Sequence, residues 1–402
     1  MEKNVSIERA NELANETLLE SKYEIIPLEV AHGRILHSSL TSNVNDPIFD
    51  NSSMDGWAVK ESDCISLPCK LSIIGTIQAG KESNFVVEKG TACRIMTGAP
   101  MPKGANAIVM IEDSIIENNM VVINGPARQN YIRKKGENIV KDEIGLKKGV
   151  LLQPSQLAMA ALMGYSVIPV TIPPVIGIIG TGDELVKPGD ELKPGQIYET
   201  NSTALAGLIT NIGCVPKKYP FVSDDLSSLR EIFDVASSEC DVIITSGGVS
   251  MGEWDLVRRL MEEEGLIKFW RVLIKPGGPP LFGTWKETPL FGLPGNPVSS
   301  QISFMKLVFP WISKSLSFDN QNGPKLFDRG RGKLLSDAKG TPNKITYRRV
   351  IIQLNGNELT GIVPLNQGSG NLRSMVECNG LIELKKGANG KSGDFIDALW
   401  FR

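Results

Sequence analysis

Between residues 175 and 315, short apolar runs alternate with amphipathic segments, and this alternation most constrains the fold. The apolar runs are VIGIIG, VIITSG and PLFGL, and segments such as DLSSLREIFDVASSE between them repeat apolar residues at helical spacing. Strands that alternate with helices are typical of βαβ units around a mostly parallel sheet. The pattern therefore predicts a central α/β domain over residues 173–318, which begins at the boundary marked by Pro173-Pro174.

The regions on either side of this domain have a different pattern and predict β-rich units. Residues 46–145 carry KLSIIGTIQAG, NAIVMIED and MVVIN between Gly, Pro and Asn turns, which predicts a small all-β unit. After Pro324, runs such as ITYRRVIIQL and GLIELKKG predict a second one. Helices are predicted over residues 5–20 and over PSQLAMAALMGY, with Ser155 as the N-cap of the latter. A chain of 402 residues also exceeds one hydrophobic core, so we expect two to four domains.

Charge and composition exclude several classes of function. The 43 basic and 45 acidic side chains nearly balance, so we expect no nucleic-acid partner and no membrane-surface partner. The charged opening does not resemble a signal peptide, and glycine and prolines interrupt the most apolar window. Six scattered cysteines fit reduced thiols in a cytoplasmic protein better than disulfides or a zinc site. Only His32 and His37 are present, so any catalysis must use carboxylates, hydroxyls, lysines, arginines and backbone amides.

Three of the predicted strands end in unusual loops. VIGIIG leads into residues 181–184 (TGDE), DVIIT leads into residues 246–250 (SGGVS), and PLFGL leads into residues 294–300 (PGNPVSS). Open α/β sheets bind ligands outside the carboxyl ends of their strands, and glycines let the backbone approach a ligand closely. We therefore expect a phosphate pocket at this edge of the sheet. Ordinary βα turns remain a sufficient explanation for any one of the loops alone.

Glu184 lies in the first of these loops, and Asp255 lies in the first turn of the helix predicted after the second. Acids beside a phosphate repel it unless a hard cation lies between them, and Mg²⁺ typically binds through one or two carboxylates together with substrate phosphates. We therefore expect a magnesium site, with a simple helix-start acid as the alternative for Asp255. Lys275, directly before the turn PGGPP, is expected near the same edge, with an ordinary solvated charge as its alternative.

Several other stretches are ambiguous or resemble known motifs only in part. The stretch DNSSMDGWAV at residues 50–59 places two carboxylates before an apolar strand, and alone it is more typical of a loop with solvated ends. GANGKS at residues 387–392 lacks the first glycine of a P-loop and lies between predicted strands. GTGDEL lacks the third glycine of a dinucleotide-binding loop, and TSGGVSMG is not a nucleophile elbow. We assign no function to these last three.

With these loops in view, the sequence resembles the molybdopterin molybdenumtransferases over nearly its whole length. This family inserts molybdate into adenylylated molybdopterin and includes the E domain of gephyrin. The motifs that carry the resemblance are long and specific. They are DNSSMDGWAV, RIMTGAPMPKGANAIVMIE, GQIYETNS, ITSGGVSMGEWD, LPGNPVSS and NLRSMVECNGL.

The resemblance implies an elongated homodimer of four-domain chains. The first domain would be discontinuous, residues 1–45 with 146–172, and the second, residues 46–145, β-rich. The third, residues 173–318, would be the molybdopterin-binding α/β domain, and the last, residues 319–402, a small β barrel. The implied reaction releases AMP in a Mg²⁺-dependent step, and molybdopterin adenylyltransferase would act upstream.

The resemblance also implies roles for individual residues. Glu184 and Asp255 would hold Mg²⁺, whereas Asp55 and Thr97 would complete the active site of the other subunit. The implied catalytic set is Asp55, Thr97, Glu184, Asp255 and Lys275. The implied contacts to the adenylylated substrate are Ser246, Gly247, Gly248, Ser250, Asp224, Asp225, Pro294, Gly295, Asn296, Pro297 and Ser299. The implied contacts to molybdate are Lys275, Pro279, Arg349 (with Arg348 as the alternative), Ser369 and Ser374.

Two positions depart from the family pattern. Gly278 stands where the family usually has a second lysine in KPGKP, and Asn138 stands where it often has an acid. The first change removes a cation expected near molybdate, so Gly278→Lys should lower the molybdate requirement unless another group has replaced it. The alternative functions are adenylylation of molybdopterin, the reaction of a related stand-alone α/β domain, and non-catalytic binding of molybdopterin. The additional domains favour insertion of molybdate.

Overall fold

The computed structural model describes residues 1–81, 84–223, 225–250, 252 and 255–401, and its largest sheet has seven strands. The strands lie in the order Glu2–Val5, Leu266–Val272, Leu281–Trp285, Thr288–Leu293, Val242–Ser246, Val175–Gly180 and Val215–Lys218. Pairings on either side of Leu281–Trp285 are antiparallel and the others are parallel. The predicted multi-domain α/β plus β fold is confirmed, and its central sheet is of mixed type.

Helices cover both faces of the central sheet. They are Ile7–Ala14, Asn201–Asn211, Leu226–Glu239, Leu256–Glu263, Pro297–Ser303 and Phe309–Ser315, the last two joined by the π-helical turn Phe304–Val308. Successive side chains of a strand point to opposite faces. Accordingly, Ile178 and Ile244 belong to one buried cluster, and Ile179 and Ile243 belong to another. We call this sheet with its helices the central unit.

The N-terminal segment is part of the central unit. The edge strand Glu2–Val5 runs parallel to Leu266–Val272, and Ser6 Oγ caps the following helix by accepting a hydrogen bond from the backbone N–H of Arg9 at 3.2 Å. Sequence analysis did not predict this strand, because EKNV has no apolar alternation. The helix predicted over residues 5–20 is present but shorter, at Ile7–Ala14.

A second sheet forms what we call the N-terminal β unit. Its six strands lie in the order Ala107–Met110, Gly56–Val59, Thr91–Ile95, Cys69–Ile77, Met120–Ile123 and Ser114–Glu117. The buried side chain of Trp57 anchors the sheet, and its indole N–H donates to Ser114 Oγ at 2.8 Å. The predicted β-rich unit is confirmed.

Short strand pairs and one helix connect these units. The pairs are Tyr23–Pro27 with Val167–Thr171, Leu40–Thr41 with Ile144–Leu146, and Asn51–Ser52 with Ile132–Arg133. The helix predicted over PSQLAMAALMGY spans Pro154–Leu162. The prediction of Ser155 as its N-cap is wrong: Gln153 holds that position and Pro154 follows as the first helical residue. Proline suits that position because its missing N–H would have no partner within the helix.

The last sheet forms the C-terminal unit. Its strands are Phe327–Leu334, Ile345–Asn355, Glu358–Ile362, Gly380–Leu384 and Phe395–Phe401, and it also contains the helix Arg373–Glu377. The pairings of these five strands run in a closed circuit. Ile274–Lys275, which follows the central-unit strand Leu266–Val272 in the chain, extends this sheet by pairing with Ile345–Asn355. No helix in the described part of the chain is both long enough and apolar enough to cross a membrane.

Candidate active site

Three parallel strands bring the three unusual loops to one edge of the central sheet. Val242–Ser246 pairs with Val175–Gly180 on one side and with Thr288–Leu293 on the other. Their carboxyl ends surround a cleft of about 620 Å³, which we call the acidic cleft. The sequence-predicted residues that line it are Glu184, Ser246, Gly247, Gly248, Ser250, Asp255, Pro279, Pro294, Gly295, Asn296 and Pro297.

Glycines allow these loops to pack backbone against backbone. Gly247 and Gly248 have φ values of +105° and +66°, which favour glycine. A Cβ added at Gly247 would lie 2.7 Å from both the carbonyl oxygen and Oγ1 of Thr181. Thr181 Oγ1 is buried beside the cleft and has no hydrogen-bond partner among the described residues. The floor of the acidic cleft is therefore built from backbone and small hydroxyls rather than from long side chains.

Asn201 joins two of the loops, and sequence analysis assigned it no role. Its side-chain amide donates to Ser246 Oγ at 2.8 Å and to the carbonyl oxygen of Gly295 at 2.7 Å. Glu199, two residues earlier, lines the same cleft and accepts from the backbone N–H of Ser202 at 2.8 Å. Both lie in GQIYETNS, which contributed to the resemblance only as a motif. Because an Asn at the start of a helix is usually a cap, the sequence alone did not indicate that Asn201 contacts two loops.

Glu184 and Asp255 line the acidic cleft from opposite loops. Glu184 is exposed, and its carboxylate lies over the backbone of Gly182. A Cβ added at Gly182 would lie only 2.4 Å from this carboxylate. Asp255 is the N-cap of Leu256–Glu263. Its carboxylate accepts a hydrogen bond from the backbone N–H of Gly252 instead of from a helix N–H. Among the described residues, no group of three or more His, Cys, Asp and Glu could hold a metal ion.

A second cleft of about 450 Å³, which we call the basic cleft, adjoins the first. The two share Ser250, Pro279, Pro294 and Asn296 in their linings. Its further lining includes Lys275, Ser299, Arg348 and Ser369, and no acidic side chain among the described residues. The Ser369 carbonyl oxygen accepts from the backbone N–H of Val298 at 3.1 Å, which ties the C-terminal unit to the central unit here.

Arg349 and Ser374 lie behind the wall of the basic cleft. Both are buried, and Arg349 Nε donates to Ser374 Oγ at 3.0 Å. Arg349 Nη2 donates to the carbonyl oxygen of Gly368 at 3.0 Å, and burial lowers the pKa of the guanidinium. The lining residue at this position is the neighbouring Arg348. Arg349 therefore supports the loop that carries Ser369. Arg348 belongs to the cleft lining, and its guanidinium donates to the carbonyl oxygen of Lys339 at 2.8 Å.

Asp55 and Thr97 form a pair of their own on the N-terminal β unit. The backbone N–H of Thr97 donates to Asp55 Oδ1 at 2.7 Å, and Thr97 Oγ1 lies 3.2 Å from the same atom. Both residues are exposed, and neither lines the acidic or the basic cleft of the same chain. Asp50 has a separate partner, Lys134, whose Nζ lies 2.9 Å away. The two acids of DNSSMDGWAV are therefore not a local pair.

The remaining predicted residues are Asp224 and Asp225. Asp224 lies outside the described residues. Asp225 is the N-cap of Leu226–Glu239, and it accepts hydrogen bonds from the backbone N–H of Ser228 and from the hydroxyls of Ser227 and Ser228. These bonds hold the pKa of the Asp225 carboxyl well below its usual range. Asp225 does not line either cleft.

Comparisons with known proteins match every part of the chain that builds these clefts. The family described as MoeA N-terminal region (domain I and II) matches residues 5–164, the Probable molybdopterin binding domain matches residues 177–314, and the MoeA C-terminal region (domain IV) matches residues 331–401.

Relatives and solved structures agree with these matches. A molybdopterin molybdenumtransferase of Haemophilus influenzae is 36% identical over 72% of this chain and 72% of its own length. Molybdopterin molybdenumtransferase 2 of Mycobacterium tuberculosis is 32% identical over 89% of this chain and 90% of its own. The crystal structure of a MoeA protein from Pyrococcus horikoshii superposes with a TM-score of 0.85 at 28% identity, over 99% of this chain and 100% of that one. The chain therefore belongs to the MoeA family of molybdopterin molybdenumtransferases.

Proposed function

We propose that the two adjoining clefts bind adenylylated molybdopterin and molybdate, transfer molybdenum to the pterin and release AMP. The chain is a transferase of molybdenum cofactor biosynthesis, as its relatives' names state. The observation that carries the proposal is the junction of two oppositely charged clefts at the carboxyl edge of the central sheet. Family matches outside the α/β part of the chain favour transfer of molybdenum over adenylylation of molybdopterin.

The acidic cleft suits the phosphates of the adenylylated substrate. Its volume of about 620 Å³ lies within the range of small-molecule sites. Gly247 and Gly248 let the backbone approach a phosphate closely, and Ser246 and Asn296 offer polar side chains in the same lining. We assign the expected substrate contacts to this cleft, with three exceptions: Asp224 lies outside the described residues, Asp225 caps a helix, and Ser299 lines the basic cleft.

Glu184 and Asp255 would hold Mg²⁺ in the acidic cleft. Both carboxylates line the cleft, and Mg²⁺ typically binds through one or two carboxylates and takes its other ligands from substrate phosphates and water. The bound ion would neutralise charge on the phosphoanhydride. Displacement of AMP needs charge neutralisation and positioning more than a strong base, which agrees with a cleft that histidine does not line.

The basic cleft suits molybdate, which is a tetrahedral dianion. Lys275 and Arg348 supply positive charge and Ser369 supplies a hydroxyl, and charge-assisted hydrogen bonds of this kind are stronger than neutral ones. Arg349 and Ser374 would act through the loop that they support rather than by direct contact. Pro279 lines both clefts, so it would lie where the two substrates meet.

We further propose a homodimer in which the N-terminal β unit of one protomer completes the site of its partner. The support is that Asp55 and Thr97 bond each other at an exposed position away from both clefts of their own chain. Heterodimers that combine an Asp55→Ala chain with a Ser250→Ala chain should recover activity at one of their two sites. Activity no higher than in either mutant homodimer would contradict the shared site.

The domain boundaries are also a proposal, at residues 1–45 with 146–172, 46–145, 173–318 and 319–402. Hydrophobic clusters confined to residues 46–145, 173–318 and 319–402 support three of these regions. The first residues of the chain, in contrast, pack in the cluster of the central unit. The closed circuit of strand pairings supports a small barrel for the last domain. We place the enzyme in the cytoplasm, downstream of a molybdopterin adenylyltransferase that would supply its substrate.

The test is AMP release from adenylylated molybdopterin in the presence of Mg²⁺ as molybdate is titrated. We expect release to depend on molybdate and to fall by about 100-fold or more in Asp255→Ala, the usual order for losing one electrostatic stabiliser of a transition state. Glu263→Ala is the matched control, because Glu263 lies at the other end of the same helix in a half-exposed pair with Arg259. Tight substrate binding without AMP release would indicate a binding-only relative.

A further inference from the structure

A lysine of the C-terminal unit reaches the turn at residues 276–280, whose Pro279 lines both clefts. A Cβ added at Gly278 would lie 3.1 Å from Nζ of Lys344. Lys344 directly precedes the strand Ile345–Asn355, which pairs with Ile274–Lys275, so this register delivers its ammonium group to the turn. In the sequence alone, Gly278 marks a missing cation and nothing signals a role for Lys344.

The surroundings of Lys344 are positively charged. Burial, together with the charges of Arg271 and Lys275, lowers its pKa. No ion-pair partner for Lys344 is found within the described ranges of the chain, and the adjacent basic cleft adds Arg348 but no described acid. Like charges held together disfavour their charged forms unless an opposite charge lies near. An anion bound at this position would provide that charge for Lys275 and Lys344.

The backbone does not require a glycine at position 278. Gly277 needs its glycine, since its φ is +100° and a Cβ there would lie 2.7 Å from Ser303 Oγ. Gly278 is not among the positive-φ residues, and the nearest atom to its added Cβ is the flexible end of Lys344. What the glycine provides is therefore space, and the ammonium group of Lys344 fills it.

Lys344 is not itself in the described lining of either cleft, but it lies beside Gly278, between the lining residues Gly277 and Pro279. We propose that from this position Lys344 supplies a second positive charge, beside Lys275, to the oxyanion-binding end of the basic cleft. It reaches the turn through the space that a side chain at position 278 would occupy. This inference rests on the proposed function, because it assigns a residue to the molybdate end of that site. It also changes the expectation for Gly278, whose missing side chain no longer implies weak affinity for molybdate.

The test is direct binding of molybdate by equilibrium dialysis, together with the molybdate concentration that gives half-maximal AMP release. Lys344→Met should raise the dissociation constant for molybdate and the half-maximal molybdate concentration about tenfold each, the order for losing one hydrogen bond to a charged group. The maximal rate and the KM for adenylylated molybdopterin should stay near the wild-type values. Lys344→Arg should keep molybdate affinity. Lys391→Met, at an exposed lysine of the same unit that lies in the turn before the strand Phe395–Phe401, is the matched control.

An exchange of positions makes the test specific. Gly278→Lys alone should change molybdate affinity little, and it should restore affinity when combined with Lys344→Met. Lys344→Gln with a melting curve covers the case in which Lys344→Met fails to fold. If wild type binds molybdate and Lys344→Met matches Lys391→Met, this inference is wrong and the proposed function stands. A wild type that neither binds molybdate nor releases AMP would overturn both.

Discussion

The acidic and basic clefts share one wall but differ in charge and in construction. Both include Ser250, Pro279, Pro294 and Asn296. Beyond that wall, the described lining of the acidic cleft contains carboxylates and no basic group, whereas that of the basic cleft contains Lys275 and no carboxylate. An anionic substrate can enter the first only with a cation, whereas the second can take an anion directly. The two clefts therefore neutralise anionic charge differently: the acidic cleft requires a bound cation, whereas the basic cleft uses its own basic side chains.

The clefts also depend on different parts of the chain. The acidic cleft is built almost wholly on the central sheet, where adjacent parallel strands hold its loops. The basic cleft takes one wall from the C-terminal unit, through residues 347 and 348 and the loop at 367–369. Its geometry therefore depends on how that unit docks, and changes at the docking surface should affect molybdate more than the adenylylated substrate.

The largest effect that we expect in the acidic cleft comes from Gly247→Ala. The new Cβ would lie 2.7 Å from Thr181, at a φ of +105° that costs a non-glycine residue about 1–3 kcal/mol. Displacement of the loop should lower kcat/KM by about 100-fold, since a misplacement of about 1 Å can have that effect. Steady-state AMP release measures the loss of kcat/KM, and a melting curve measures the loss of stability.

A second glycine separates strain from contact in this prediction. Gly189 has a similar φ of +103°, but its added Cβ would meet nothing within 4 Å. Gly189→Ala should therefore show the loss of stability without the loss of activity. Equal losses of activity in the two variants would mean that strain alone, rather than the packing of loop on loop, controls the acidic cleft.

Sequence patterns were sufficient where a regular period or a long motif was present. Apolar runs such as VIGIIG and VIITSG predicted the strands at Val175–Gly180 and Val242–Ser246, and parallel strands necessarily bring their loops to one edge. The strand Glu2–Val5 was missed because its pairing with Leu266–Val272 is a tertiary contact that EKNV does not signal. Local pattern could not reveal it.

Side-chain direction was the other limit. Arg348 and Arg349 are adjacent in a strand, so they point to opposite faces, and only the fold decides which faces a cleft. Lys344 and Gly278 are distant in sequence, and the pairing of Ile274–Lys275 with Ile345–Asn355 brings them together. When a side chain from one unit replaces a missing side chain in another, neither local sequence shows the replacement.

A smaller effect is expected where the C-terminal unit docks on the central unit. Lys306 Nζ lies 3.2 Å from Glu383, and their side chains are 10% and 37% exposed. Breaking a buried ion pair by removing one partner costs about 3–5 kcal/mol, and the exposure of Glu383 should reduce this to about 2 kcal/mol. Because Lys306 is the more buried charge, Glu383→Gln should destabilise the protein more than Lys306→Met does.

Urea unfolding of the two variants measures this difference. Burial lowers the pKa of Lys306, so its stability contribution has a defined direction with pH. Without Glu383, the folded state binds fewer protons than the unfolded state just below the ordinary lysine pKa, so stability should rise with pH there. Molybdate binding should weaken in both variants while binding of the adenylylated substrate persists. Equal weakening for both ligands would contradict the separate construction of the two clefts.

The smallest effect that we expect is a change in how molybdate affinity depends on pH. Molybdate should bind the protonated ammonium of Lys344, whose pKa is lowered by burial and by the facing charges of Arg271 and Lys275. Affinity should therefore be complete at lower pH and should decline as pH rises through the pKa of Lys344, before an ordinary lysine would deprotonate. The guanidinium of Lys344→Arg stays protonated throughout, so that variant should lack the early, few-fold decline. Dialysis over a pH series compares the two, and the same early decline in Lys344→Arg would place the titrating group elsewhere in the basic cleft.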